Sequence, residues 1–252
     1  MRKLALSDEI LMKVEKPARY IGNELNSIVK DKDNVDIRIA MCFPDVYEIG
    51  MSHLGIQILY DMFNKREDTW CERVYSPWSD LHQIMKEENI PLFGLESQEP
   101  IKDFDFLGIT IQYEMCYTNI LQVLDLAQIP LLAKDRKEGH PIVMGGGPCT
   151  YNPEPIAEFF DFFYIGEGET QYDAILDMYK DMKKNGASRA DILHAIAKIE
   201  GMYVPALYDV TYKEDGTIDQ FIPIFDDIPA TIKRQVQVDL DSAVYPEEPI
   251  VP

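Results

Sequence analysis

The chain is short of basic side chains, of cysteine and of histidine, and it has no long apolar run. Lysine and arginine number 24 against 44 aspartates and glutamates, a formal net charge of −20. A surface of that sign repels phosphate backbones, so sequence-independent binding of DNA or RNA is disfavoured. The acidity reads as a solvated surface and a solubility feature rather than as a site. No apolar stretch reaches the roughly 20 residues of a membrane span. The opening MRKLALSDEILMKVEK carries charges throughout and holds no unbroken apolar segment, so no signal peptide is read there.

Only four cysteines occur, Cys42, Cys71, Cys116 and Cys149, far apart and never as C-x-x-C. Neither a zinc site nor a disulfide framework is expected, which fits a reducing cytoplasm. His82, His140 and His194 are scattered without metal spacing. No G-x-x-x-x-G-K-[ST] and no G-x-G-x-x-G is present, so nucleotide binding has no motif behind it. There is also no C-x-x-x-C-x-x-C loop, the thiolate set that would hold a [4Fe–4S] cluster.

What is present is a chain of 252 residues with 46% apolar side chains, enough for a packed core. Residues 7–30 hold two short helical patterns broken near Pro17 and Gly22. Residues 35–43 alternate as a strand, ended by Pro44 and Asp45. Ser52 is placed to cap a helix carrying Leu54, Ile58, Leu59, Met62 and Phe63. Strands are expected over 69–75, 104–111, 141–144 and 160–165. Helices are expected over 79–88, 117–126 and 170–184, with another started by Ser188.

Such alternation predicts an α/β fold with a five-stranded parallel sheet covered on both faces, of the flavodoxin-like doubly wound plan. Residues 1–34 then form a helical extension, 35–200 the α/β domain, and 201–252 a small β appendage and linker. In the appendage, Glu214-Asp215-Gly216 marks a hairpin between 203–212 and 217–224. A further strand is expected over 231–238. The proline-rich ending reads as a linker toward a further domain.

In an open parallel sheet, ligands bind outside the carboxyl ends of the strands. The residues there are unusual. Asp45, Tyr47 and Gly50 follow the first strand, and Thr110 and Gln112 close the third. Gly145, Gly146 and Gly147 follow the fourth, and Gly166, Glu167, Gly168 and Glu169 the fifth. Any one glycine suits a plain strand-to-helix turn. As a set they describe a rim that lets a large ligand approach the backbone. Cys42 and Cys116 beside this rim read as small buried hydrophobes. Tyr113, Glu114 and Tyr117 read as a polar loop, and His53 as a residue of the helix start. Glu167 and Glu169 lack a supporting nucleophile or substrate pocket, so no catalytic residue is assigned.

These residues carry a resemblance. Asp45-Val46-Tyr47-Glu48-Ile49-Gly50 resembles the D-x-H-x-x-G signature of cobalamin-binding domains. Thr110 falls where those domains place a hydroxyl, and Gly145-Gly146 where they place a glycine pair. From the Asp45 motif through GGGPCTYNPEP and IGEGE to YPEEPIVP, the chain is similar to the N-terminal region of a B12-binding-domain/radical SAM family. The resemblance implies a module that holds cobalamin next to a following radical SAM domain of the same polypeptide. S-adenosylmethionine and the iron–sulfur cluster would belong to that following domain. Tyr47 stands in the histidine position, and a phenol with a pKa of about 10 is a poor ligand at neutral pH. Cobalamin would then be bound His-off, or the domain would serve without cofactor as a docking module for the barrel. A receiver would want an aspartate where Thr110, Ile111 and Gln112 stand. A flavodoxin would want a Ser/Thr/Gly-rich phosphate loop at 44–50.

Overall fold

The longest apolar runs of the chain become its central strands, as expected of a sheet buried on both faces. In the computed structural model, which describes residues 3–251, β1 (Ile37–Phe43), β2 (Thr69–Tyr75), β3 (Phe106–Thr110), β4 (Ile142–Gly146) and β5 (Phe162–Tyr164) all run parallel. Their order is β2-β1-β3-β4-β5. This is the doubly wound arrangement expected from the sequence, with its switch between β1 and β3. A sixth strand, β6 (Met202–Tyr203), joins antiparallel to β5. The sequence reading stopped the sheet at five and assigned Tyr203 to the hairpin. Two residues are too few to show a period.

Right-handed crossovers fix which face each helix covers. The β1 to β2 connection moves one way along the sheet, through the short α3 (Tyr47–Gly50) and α4 (Leu54–Lys65). The β2 to β3 and β3 to β4 connections move the other way, through α5 (Ser79–Glu88) and α6 (Tyr117–Leu126). The two groups therefore lie on opposite faces. Lys86 of α5 bonds Asp125 of α6 at 2.6 Å. Phe63 of α4 meets Tyr172 of α7 (Tyr172–Lys184) edge to face, and Arg66 bonds Asp173 and Asp177 of the same helix. Helix α8 (Arg189–Ile196) starts at Ser188 in a capping box with Asp191, as Ser188 predicted.

The helical extension is α1 (Asp8–Leu11) and α2 (Ala18–Ile21), tied onto the edge strand β2. Trp70 donates its indole N–H to the Ile28 carbonyl, and Lys30 reaches the carbonyls of Asn64, Arg66 and Thr69. The β2 edge is sealed by its own ions. Arg73, 1% exposed, bonds Glu96 at 2.7 Å and Glu24 at 2.7 Å. Arg38 bonds Glu72 and Glu99, each at 2.6 Å.

The hairpin is β7 (Tyr208–Tyr212) against β8 (Ile218–Pro223), turned at Gly216 with φ 83°. The strand expected over 231–238 contracts to one parallel bridge between Gly166 and Gln235.

Candidate functional site

At the carboxyl edge of the sheet, the loops after β1, β3 and β4 meet. Thr110 and Gly146 are register partners at the ends of β3 and β4. Asp45, just past β1, accepts the Val46 amide at 2.7 Å and the Tyr113 phenol at 2.8 Å. That second bond spans the switch point and ties the β1 loop to the β3 loop.

Gln112 donates its amide to the Thr110 hydroxyl at 2.5 Å and also hydrogen-bonds His53. His53, rather than Ser52, is the cap of α4, since its Nδ1 accepts the Ile56 amide at 3.3 Å. Its ring also packs on Phe43 at 5.1 Å. Burial lowers its pKa, and Gln112 pulls the other way. A neutral imidazole with Nδ1 accepting leaves Nε2 as the donor. Burial likewise raises the Cys42 and Cys116 thiols, and both are buried as expected.

The glycines divide by role. A side chain at Gly146 would meet nothing within 4 Å, so its α-carbon faces open space. Gly147, with φ 97°, turns the chain back over Ile111 and Gln112. Gly145 and Gly50 instead allow packing: a Cβ would stand 2.7 Å from the Phe163 ring at the first and 2.5 Å from the Tyr75 ring at the second.

Four expected rim residues, Tyr47, Gly166, Glu167 and Gly168, are engaged elsewhere. The Tyr47 phenol donates to Glu24 of the extension at 2.9 Å, and its ring sits edge-on to Tyr75. Burial and that carboxylate push its pKa up to about 12, so it is a neutral donor at pH 7. Gly166 and Glu167 are covered by the C-terminal segment. The Glu167 amide donates to the Gln235 carbonyl at 3.1 Å, and the Glu167 carboxylate accepts from the Gln237 amide. Gly168 packs against Leu59 and Tyr172.

What the sequence reading missed is the exposure of four large apolar side chains. Ile49 in α3, Leu54 at the start of α4, and Met115 and Tyr151 in the connections after β3 and β4 are between 51 and 85% exposed. The available signal was slight, since Leu54 read as part of its helix and only Met115 stood within a segment read as a polar loop. Among the described residues, no three histidine, cysteine or acidic side chains group as a metal site. Nor is any helix long and apolar enough to cross a membrane.

Residues 55–205, more than half of the chain, match the family described as radical SAM proteins, N-terminal. The chain belongs to this family. A relative from Methanocaldococcus jannaschii, an uncharacterised protein, is 31% identical over 134 residues, covering 52% of this chain and 24% of that protein. Among solved structures, the cobalamin-dependent S-adenosylmethionine radical enzyme OxsB with aqua-cobalamin bound aligns over 77% of this chain and 24% of that one. The TM-score is 0.40 and the identity 12%, too loose a likeness to carry a conclusion about residues or ligands. This radical SAM N-terminal domain thus spans about a quarter of the length of either protein.

Proposed function

We propose that this radical SAM N-terminal domain holds a cobalamin His-off on the β1/β3/β4 part of its rim, facing a radical SAM domain of the same polypeptide. One observation carries the reading: Gly146 presents bare backbone to open space, beside its register partner Thr110 at the carboxyl edge of the sheet. A flat, bulky ligand needs such a floor.

The residues fit the corrinoid at three strand ends and not at the fourth. Gly146 and Gly147 give close approach, Thr110 and Gln112 supply hydrogen bonds, and Asp45 and Tyr113 form the wall across the switch point. Gly166, Glu167 and Gly168 take no part, because Gln235, Leu59 and Tyr172 occupy their surroundings. Tyr47, spent on Glu24, gives no axial ligand. When bound, cobalamin supplies methyl-transfer or electron-transfer chemistry at its cobalt. The protein orients the ring, excludes water with Ile49, Leu54, Met115 and Tyr151, and keeps the Asp45 carboxylate fixed by two donors.

The filled slot at Gly166 favours a second reading, in which the rim packs directly on the following domain and no cofactor enters. Loading the purified chain with hydroxocobalamin, desalting and recording the visible spectrum separates the two. Retained colour with about one corrinoid per chain supports the first. A colourless protein that still binds the separately expressed remainder supports the second.

A further inference from the structure

Beside the carboxyl ends of β1 and β2, a cleft of about 740 Å³ opens between Asp45, the start of α5 and the body of α6. That volume suits a small organic ligand. Its wall includes Trp78, Gln83, Asn119 and Gln122, and the chemistry of the three amides is fixed by their partners. The Asn119 amide nitrogen donates to the Pro44 carbonyl at 2.9 Å. The Gln122 amide nitrogen donates to the Pro77 carbonyl at 3.3 Å and the Ser76 hydroxyl at 3.1 Å. The Gln83 amide nitrogen donates to the Glu87 carboxylate at 2.8 Å. Carbonyls and carboxylates only accept, so none of these amides can be turned the other way. Gln122 spends both amide N–H groups on the protein, Asn119 and Gln83 spend one each, and the three amide oxygens remain as acceptors. The carboxylates of Asp45 and Glu87 also line the cleft, so acceptors outnumber free donors and the wall favours a ligand rich in N–H groups.

The remaining features point the same way. The one lysine of the wall, Lys86, is paired with Asp125 at 2.6 Å and offers no free cation to an anionic ligand. The chain carries −20 overall, a field that repels anions. Trp78 is 48% exposed at the mouth of the cleft, and the Arg19 guanidinium already lies 5.7 Å from its ring centroid. An indole is the aromatic surface that cations prefer, and a guanidinium is a planar cation with donors around its edge.

We infer that this cleft binds a guanidinium group, stacked on Trp78 with its N–H groups on the amide oxygens of Asn119, Gln122 and Gln83. The cleft shares Asp45 with the wall proposed for cobalamin, but Trp78, Gln83, Asn119 and Gln122 take no part in that wall, so agmatine binding and corrinoid retention can fail separately.

The test is intrinsic fluorescence of the whole chain, which has two tryptophans. Trp70 is 3% exposed and serves as the constant background. Agmatine should give a saturable change in the Trp78 emission, while benzoate and adenosine monophosphate at equal concentration should not. Tetramethylammonium, a cation without donors, should bind at least fivefold more weakly than agmatine. Gln83→Leu on the exposed side of α5 should weaken agmatine at least threefold with an unchanged melting temperature. An acetylated Gly-Arg-Gly amide that binds more tightly than agmatine would place the group on a protein partner, and the reverse order on a metabolite. No saturable agmatine response, equal binding of adenosine monophosphate, or no effect of Gln83→Leu would each overturn the inference.

Discussion

Gly166 and Gln235 lie backbone to backbone, so that a Cβ on Gly166 would stand 2.2 Å from the Gln235 carbonyl oxygen. With φ at 118°, Gly166 also holds a conformation that side chains resist. Gly166→Ala should therefore lift the 231–238 segment from β5 at a local cost of about 1–3 kcal/mol. Lys233 and Arg234 are trypsin sites beside the contact. Limited trypsin digestion should cut there several-fold faster in the variant while the sheet melts at its usual temperature. An unchanged cleavage rate would show that the segment is not held by this bridge.

Gly145 and Gly146 are neighbours with opposite tolerances. Gly146→Val enters open space and should change stability by less than about 1 kcal/mol, yet it raises the floor beneath the proposed corrinoid. Gly145→Ala meets the Phe163 ring at 2.7 Å and should cost about 1–3 kcal/mol from overpacking. Urea unfolding of both, beside cobalamin retention after desalting, checks the pair. Full retention by Gly146→Val would remove this glycine from the site.

Arg73 is the keystone of a buried charge set. Burial pushes the Glu96 carboxyl above its usual range even with Arg73 beside it. For Arg73 burial works against the charge, but Glu96 and Glu24 outweigh it and hold the guanidinium protonated. Removing the cation alone, in Arg73→Met, takes the counter-charge from the buried Glu96 and Glu24 carboxylates and should cost about 3–5 kcal/mol. The double change Arg73→Met with Glu96→Leu should recover much of the loss. Equilibrium unfolding of the two variants reads both values.

Acid should destabilise this domain through a few surface carboxylates. Arg19, with help from Lys16, holds the Glu48 carboxyl at about 2, against 4.5 for a free one. Burial would raise Asp68, but Arg66 and Lys180 outweigh it and hold it well below the usual range. Both folded values are depressed, so the unfolded chain binds more protons as pH falls. Their stabilisation is present above about pH 4.5 and is lost on the way down to about 2. Urea midpoints should fall between pH 6 and pH 3, and Lys180→Met should flatten that slope.

Of the four cysteines, Cys42, Cys71 and Cys116 are buried and Cys149 is partly exposed. Iodoacetamide on the native protein should label Cys149 first, slowly at pH 7 because burial raises its thiol, and faster at alkaline pH. Peptide mass spectrometry after a short pulse checks it. Early labelling of Cys71 would contradict the fold.

The parallel sheet was readable because strand-like stretches such as 37–43 and 106–110 alternate with segments of helical spacing. Local caps were nearly so: Ser188 caps α8, but His53 displaced Ser52 because its ring could also pack on Phe43. Nothing local could show that Gln235 would return to Gly166, that Tyr47 would turn to Glu24, or that Glu72 and Arg73 would both be buried in β2. Each depends on a partner 23 to 69 positions away. The amide wall beside Trp78 was hidden for the same reason, since the partners that orient Asn119 and Gln122 come from the ends of β1 and β2.

The carboxylates that finish β2 have an effect beyond stability. Glu96 accepts the Arg73 backbone amide, Glu72 accepts the Ser97 amide, and the Leu95 amide donates to the Arg73 carbonyl. An incoming strand would find no free ladder along that stretch of the border, only a loop bearing charge. Self-association by sheet extension is thereby blocked along that stretch of β2.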